Sequence, residues 1–229
     1  MSAAWQSSVT KMFHTILFDL DGTLTDPGEG ITNSVAYALK RYGIEVEDRK
    51  SLYPFIGPPL HESFMRYFGM NEETSLEAVE VYREYFSVKG LLENRPYDGI
   101  EALLKKLKDA GKRMIVATSK PEGFSVRILE HLGLAKYFDL ICGALMHPPK
   151  GYGKADVIRD ALKRSEITDL SGIVMVGDRL HDIEGAHKIG LPAVGVLYGY
   201  GDRPELENAG ADYIAEDICA LGQLLLNEN

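Results

Sequence analysis

The chain has 229 residues, 45% of them hydrophobic, and a formal net charge of −9 at pH 7. This length allows one well-buried core and a smaller second domain. The acidic charge, without any basic run, argues against a nucleic-acid partner, and no apolar stretch approaches the roughly 20 residues of a membrane span.

The first residues, Met1 to Lys11, are polar and lack the apolar core of a signal peptide. Cys142 and Cys219 lie far apart in the sequence and form no metal-ligand pair, which suggests a reducing compartment. We therefore expect a cytoplasmic protein with no membrane partner. The sequence leaves a monomer and a homodimer open.

Short apolar segments alternate with amphipathic helices through most of the chain. We predict strands at Thr15–Asp19, Arg113–Thr118, Phe138–Cys142, Ile173–Gly177 and Ala193–Leu197, and a weaker one at Asp212–Ala215. Between them apolar residues recur at helical spacing, and Gly111 and Gly133 stand where helix C-caps are expected. This alternation predicts an α/β fold with a doubly wound, Rossmann-like parallel sheet.

Residues 28–95, which we call the helical segment, break this alternation. They carry helical stripes of apolar residues, punctuated by Gly43 and Gly69, and no convincing strand. We predict an all-helical cap domain over 28–95, inserted into a core made of 12–27 and 96–229. Crossings near Pro27 and Pro96 would act as hinges. Such an insertion would lie over the carboxyl end of the sheet, where open α/β sheets bind ligands.

Two carboxylates, Asp19 and Asp21, end the first predicted strand. Strand alternation places them on the same side of the chain, and Gly22 then permits a tight turn. Like charges this close repel unless a cation or a proton relieves them. A divalent metal would do so and leave one carboxylate free for chemistry. For a single Asp-x-Asp a solvated acidic turn is the better explanation, so the other strand ends decide.

The next two strand ends supply a hydroxyl and a cation. Thr118 ends the second predicted strand and Ser119 follows it. Backbone N–H groups at a helix start here can bind an anion, or Ser and Thr can simply cap the helix. Lys154 begins the helix after the third strand, a position that disfavours a cation unless it faces a negative group. Lys150 in the preceding loop is the competitor, and either lysine could be solvated.

The fourth strand ends in Gly177 and Asp178, and Asp182 follows one helical turn later. In order, the strand ends carry two Asp, a hydroxyl, a Lys and two Asp. Any one of these acidic turns could arise by chance, but the whole ordered set is much less easily explained in that way.

These residues resemble the motifs of the haloacid dehalogenase superfamily, in its phosphatase branch with a small helical cap. The matching pieces are Asp19-Leu-Asp-Gly-Thr-Leu-Thr, Thr118, Lys154 and Gly177-Asp178-x3-Asp182. The resemblance covers essentially the whole chain beyond the first dozen residues. It implies the predicted sheet and cap, Mg²⁺ as the cofactor and a small phosphorylated metabolite as the substrate.

The resemblance also implies roles for individual residues. Asp19 would attack phosphorus and form an aspartyl-phosphate, and Asp21 would act as general acid and then base. Mg²⁺ would be held by Asp19, the backbone carbonyl of Asp21 and Asp178, with Asp182 orienting a metal-bound water. The phosphoryl oxygens would be bound by Thr118, Lys154 and the N–H groups of Leu20, Asp21 and Ser119.

Asp21 narrows the reaction within the family. Dehalogenases lack this second Asp, and phosphonatases and transport ATPases carry other residues there, so Asp21 favours a phosphatase or a phosphomutase. The 5′-nucleotidase-like and phosphoglycolate-phosphatase-like groups are the best matches, and Ile56-Gly-Pro-Pro-Leu60 resembles the former. A phosphomutase of the β-phosphoglucomutase type and a non-enzymatic phosphate-binding protein are the alternatives.

Overall fold

The computed structural model describes residues 13–149 and 151–227. Six strands in this part of the chain form one parallel sheet. The strands are β1 (Thr15–Phe18), β4 (Arg113–Pro121), β5 (Leu140–Ala144), β6 (Ile173–Gly177), β7 (Ala193–Val196) and β8 (Tyr213–Ala215), and their order is β5-β4-β1-β6-β7-β8. Helices cover both faces, so the predicted doubly wound α/β fold is confirmed.

Strand β1 lies at the centre of the sheet with all four residues buried. Its side chains alternate between faces: Ile16 and Phe18 pack into one apolar cluster and Leu17 into the other. Phe18 is in register with Val116 of β4 and Val176 of β6. The carboxyl ends of these three strands therefore meet at one edge of the sheet.

Helices on each face bury a stripe of apolar residues against the sheet. The Ile16 face packs against α4 (Ile100–Asp109), α5 (Glu122–His131) and α9 (Ile218–Leu226), and the Leu17 face against α6 (Lys154–Arg164), α7 (Leu180–Ile189) and α8 (Arg203–Asn208). Gly111 and Gly133 have positive φ just beyond α4 and α5, as expected of helix ends. Helix α5 begins at Glu122, and Pro121 is its N-cap.

The helical segment contains α1 (Gly28–Arg41), α2 (Leu60–Phe68) and α3 (Glu72–Tyr85), with a 3₁₀ turn at Arg49–Phe55 and a π turn at Phe86–Gly90. Its buried side chains, Phe55 and Phe64 among them, belong to the same cluster as the Ile16 face of the sheet. Its apolar interior is thus continuous with that of the sheet domain. The exact bounds of two separate domains stay a prediction.

The two crossings into and out of the helical segment pair with each other. Strands β2 (Thr25–Asp26) and β3 (Arg95–Pro96) form an antiparallel pair. Arg95 Nη2 lies 2.8 Å from Asp26 Oδ2, and the Tyr200 hydroxyl donates to Asp26 Oδ1 at 2.5 Å. The predicted crossings near Pro27 and Pro96 thus lie side by side. None of the helices described here is long and apolar enough to span a bilayer.

Gly30→Ala is expected to lower the free energy of unfolding by about 1–3 kcal/mol, the usual cost of overpacking. A Cβ at Gly30 would lie 2.0 Å from the carbonyl oxygen of Gly90, so α1 and the π turn would have to separate. Urea unfolding measures the change.

Gly123→Ala in α5 is the matched control, because a Cβ there meets no atom within 4 Å. It should be neutral or stabilising by less than about 1 kcal/mol. Equal effects of the two substitutions would contradict the close contact between α1 and the π turn.

Candidate active site

Three carboxylates meet where the central strands end. Asp19 follows β1, Asp178 follows β6, and Asp182 lies in the first turn of α7. All three residues are buried, and one carboxylate oxygen from each lies within 4.8 Å of the others. Burial of several like charges at this separation is strongly unfavourable without a counter-charge.

Lys154 supplies part of that counter-charge. Its Nζ lies 2.8 Å from Asp19 Oδ1 and 2.8 Å from Asp182 Oδ1, and it donates to the Ala117 carbonyl at 3.1 Å. Burial lowers the pKa of this ammonium, but the charges of Asp182 and Asp19 outweigh burial and raise it. Lys154 therefore remains protonated and ties β1, β4 and α7 together. The competitor Lys150 lies outside the described residues.

Asp178 is oriented by groups from two loops. The Thr23 hydroxyl donates to Oδ1 at 3.3 Å, and the Tyr200 backbone N–H donates to Oδ2 at 2.8 Å. Burial and the charges of Asp182 and Asp19 raise its pKa well above the ordinary value. Gly22 has φ +84°, and a Cβ there would stand 2.1 Å from Asp178 Oδ2. The turn after Asp21 therefore requires glycine for two reasons.

The two carboxylate oxygens of Asp182 face different groups. Oδ1 contacts the Lys154 ammonium, and Oδ2 accepts the Arg179 backbone N–H at 3.1 Å. The pKa of Asp182 is raised to about 6, chiefly by burial. The negative charge of Asp19 acts in the same direction, and the positive charge of Lys154 acts in the opposite direction. A Cβ at Gly177 would lie 2.2 Å from Asp182 Cγ. Asp182 thus holds Lys154 and caps α7, contacts that sequence reasoning did not foresee.

Asp21 lies apart from this cluster and pairs with Lys120. The Lys120 ammonium donates to Asp21 Oδ2, and the two side chains are only 7% and 13% exposed. Within the described part of the chain, Asp21 Oδ1 has no hydrogen-bond partner. Burial raises the Asp21 pKa although Lys120 lowers it. Sequence reasoning missed Lys120, even though it stands two residues after Thr118 at a strand end that faces the carboxylates.

The predicted phosphate-binding residues occupy the same edge of the sheet. Thr118 is buried, and its hydroxyl accepts the Lys120 backbone N–H at 3.3 Å. Leu20 is also buried, and its carbonyl accepts N–H groups of the turn that follows. Ser119 is exposed between Thr118 and Lys120. These residues thus lie just beyond the paired parts of β1 and β4, two neighbouring strands of the sheet.

Arg179 connects this edge to the helical segment. Its guanidinium donates to the Ile56 carbonyl at 2.6 Å and, through Nε, to Glu205 at 2.8 Å. Gly57 has φ +104°, and a Cβ there would lie 3.0 Å from Arg179 Nη1. The loop around Ile56 therefore packs against the residue that follows Asp178.

With this geometry established, comparison with known proteins identifies the family. The family model of haloacid dehalogenase-like hydrolases matches residues 16–196. The chain belongs to this family, and the resemblance drawn from its motifs is confirmed.

Similar proteins include a 5′-nucleotidase of Pseudomonas aeruginosa, 44% identical over 213 residues, which are 93% of this chain and 96% of that protein. Tyrosine-protein kinase PtkA of Mycobacterium tuberculosis is 42% identical over 187 residues, 81% of this chain and 62% of that protein. A solved structure of a predicted phosphatase from Clostridium acetobutylicum has a TM-score of 0.89 and 50% identity, covering 94% of this chain and 99% of that one. The predicted enzyme class, phosphoric monoester hydrolase, is confirmed.

Lowering the pH from 7 to 5 is expected to stabilise metal-free wild-type protein relative to an Asp182→Asn variant. The folded-state pKa of Asp182, about 6, exceeds the ordinary value of 3.8, so between these values the folded protein binds more protons than the unfolded chain. The stability that protonation confers is complete below the lower value and is lost as the pH rises through about 6. Thermal unfolding in EDTA measures it.

The control is Asp109→Asn, whose exposed carboxylate pairs with Lys105. Its melting temperature should follow that of the wild type across the range. A constant difference between wild type and Asp182→Asn from pH 5 to pH 7 would contradict the assignment.

Proposed function

We propose that this protein is a Mg²⁺-dependent phosphatase that hydrolyses a small-molecule phosphomonoester through an aspartyl-phosphate at Asp19. The observation that carries the proposal is the buried group of Asp19, Asp178, Asp182 and Lys154. Three carboxylates there face one ammonium, which leaves two negative charges in excess when all are ionised. A second lysine already neutralises Asp21.

The donor set of this group suits Mg²⁺, since every candidate ligand is a hard oxygen. Asp19, the backbone carbonyl of Asp21 and Asp178 would hold the ion, and Asp182 would orient a water on it. Bound there, the ion would neutralise the excess charge and supply Lewis-acid stabilisation of the phosphoryl group. Lys154 spans Asp19 and Asp182 without contacting Asp178 in the described contacts, which is consistent with a cation on the Asp178 side.

Asp19 is the proposed nucleophile. A carboxylate oxygen of Asp19 forms a bond to phosphorus while the bond from phosphorus to the alcohol oxygen breaks. An anionic nucleophile and a phosphate dianion repel each other by about 4 kcal/mol at ~4 Å and an effective dielectric constant of ~20. Lys154, the Thr118 hydroxyl and the N–H groups of Leu20, Asp21 and Ser119 would offset this repulsion at the phosphoryl oxygens.

Asp21 is the proposed acid and base. In its protonated form it gives a proton to the departing alcohol oxygen, and its carboxylate then takes a proton from the water that attacks the aspartyl-phosphate. That water releases inorganic phosphate and restores the Asp19 carboxylate. Burial raises the Asp21 pKa, which increases the protonated fraction that the first step needs.

We propose nucleoside 5′-monophosphates as the leading substrate class. The support is the 5′-nucleotidase relative, which matches 93% of this chain and 96% of its own length. The test is phosphate release from a panel of phosphorylated metabolites with Mg²⁺, including nucleoside 5′-monophosphates, phosphoglycolate and sugar phosphates. Release without preference for nucleotides would reject this substrate class and retain the phosphatase.

Two other phosphoryl transfers would give products different from those of hydrolysis. A β-phosphoglucomutase-type mutase is not favoured by the comparisons, and it would isomerise a sugar phosphate without net phosphate release. The likeness to tyrosine-protein kinase PtkA, which extends over 81% of this chain, makes transfer from ATP to tyrosine a second candidate. Phosphotyrosine formed with ATP, and no phosphate release from monoesters, would select it.

Asp19→Asn is expected to abolish turnover, and Asp21→Asn to lower it by roughly 10² to 10⁴. The first substitution removes the nucleophile, and the second removes only the proton transfer. Phosphate release by purified, folded variants measures both, with Asp109→Asn as the control that should keep wild-type activity. Near-normal turnover by Asp19→Asn would refute the nucleophile.

Adding Mg²⁺ is expected to raise the melting temperature of the wild type and to have little effect on Asp178→Asn. A ligand that binds only the folded state at 100 times its Kd stabilises by about 2.7 kcal/mol. The ion would relieve the repulsion among the buried carboxylates, and Asp178 would be one of its ligands. An equal shift in the wild type and in Asp178→Asn would exclude Asp178 from the metal site.

A further inference from the structure

Lys120 is a buried cation that the proposed chemistry leaves without a role. Its side chain is 7% exposed, and its ammonium donates to Asp21 Oδ2. Lys154 does not take the place of Lys120 beside Asp21, because the described contacts of its ammonium are with Asp19, Asp182 and the Ala117 carbonyl. Lys120 is thus the cation that pairs with Asp21, the proposed acid and base.

An aromatic ring from the helical segment covers the Lys120 ammonium. Phe86 is the first residue of the π turn that follows α3 and is 2% exposed, and its ring centroid is 4.8 Å from Lys120 Nζ. The ring also stacks on Tyr82 at 5.3 Å and meets Phe124 of α5 edge-on at 5.4 Å. Phe86 therefore connects the helical segment to the sheet domain at the point where Lys120 reaches Asp21.

These contacts fix a group that would otherwise be mobile. A lysine ammonium sits on a flexible four-carbon stem and has no preferred direction of its own. A desolvated aromatic face attracts the cation and limits where it can lie. The ammonium in turn holds Asp21 through one carboxylate oxygen and leaves Oδ1 without a hydrogen-bond partner among the described residues. That oxygen is the one whose hydrogen-bonding capacity the described residues leave unused.

We infer that Lys120, held under Phe86, is a positioning residue that orients Asp21 toward the departing oxygen of the substrate. The inference rests on the proposed phosphatase function. It makes the orientation of Asp21 depend on the packing of the helical segment against the sheet domain, since Phe86 belongs to that segment. Lys120 itself exchanges no proton and touches no reacting atom.

The dependence of the rate on the leaving group distinguishes positioning from a structural role. An alkyl phosphate needs a proton from Asp21 as its alcohol departs, whereas p-nitrophenol leaves readily as the anion. The parameter kcat/KM reports the steps up to release of the alcohol. A disordered Asp21 should therefore lower kcat/KM for alkyl esters far more than for an aryl ester.

The experiment measures kcat/KM of wild type, Lys120→Met and Phe86→Leu with Mg²⁺. The two substrates are the best alkyl phosphate from the metabolite panel and p-nitrophenyl phosphate. We expect Lys120→Met to lose about 10- to 100-fold on the alkyl ester and less than about 3-fold on the aryl ester. Phe86→Leu should show a smaller loss with the same selectivity, and Lys120→Arg should recover part of the alkyl activity.

The matched control is Lys105→Met, which removes an exposed Lys–Asp pair on α4 and should change neither rate. Adding Lys120→Met to Asp21→Asn should cause no further loss on the alkyl ester. Equal losses on both esters, or additive losses in the double variant, would overturn the inference while leaving the phosphatase intact. If Lys120→Met does not fold, as judged by circular dichroism, Phe86→Leu decides by the same criterion.

Failure of the underlying function has a different signature. Wild-type protein that releases no phosphate from either ester would overturn the phosphatase and, with it, the role of Lys120. Wild-type activity combined with unselective variants would overturn only the role of Lys120.

Discussion

The buried ammonium of Lys154 is the contact on which the rest of the site depends. It lies 2.8 Å from carboxylates that come from β1 and from α7, and it donates to a carbonyl of β4. Without a cation, three buried carboxylates within 4.8 Å of one another would oppose folding. One lysine at the start of α6 therefore fixes the relative positions of three elements that are distant in sequence. When all three carboxylates are ionised, Lys154 leaves an excess of negative charge. A divalent cation would neutralise this excess.

Glycines allow this crowding. Side chains at Gly22 and Gly177 would collide with Asp178 and Asp182, since a Cβ would approach within 2.1 Å and 2.2 Å of their carboxyl groups. Such close packing keeps water away from the carboxylates and accounts for the raised pKa values of Asp178 and Asp182. The same packing lowers stability at neutral pH when no cation is bound. The close packing that destabilises the cation-free site therefore also makes the site favour positive charge strongly.

Sequence patterns predicted the sheet well, because strands buried on both faces appear as short apolar runs between amphipathic helices. They also placed Asp19, Lys154 and Asp178 at strand or helix ends, but the prediction that the second strand ends at Thr118 was wrong, because β4 continues to Pro121. What they could not supply was the direction of side chains that leave the regular elements. Lys120 pairs with a residue 99 positions away, and Arg179 contacts a carbonyl 123 positions away. No local periodicity records such contacts, which depend on how the helical segment folds back over the sheet.

These two unpredicted contacts have a common consequence. Arg179 follows Asp178 and reaches the Ile56 carbonyl, while Lys120 follows Thr118 and lies under Phe86. The helical segment therefore touches the residues that flank the carboxylate and hydroxyl ends of two strands. Its Phe86 ring, stacked on Tyr82, also covers the Lys120 ammonium that pairs with Asp21. A change of packing in the helical segment would therefore act first on Lys120 and on its partner Asp21, the proposed acid, whereas the group around Lys154 is held by the sheet domain itself.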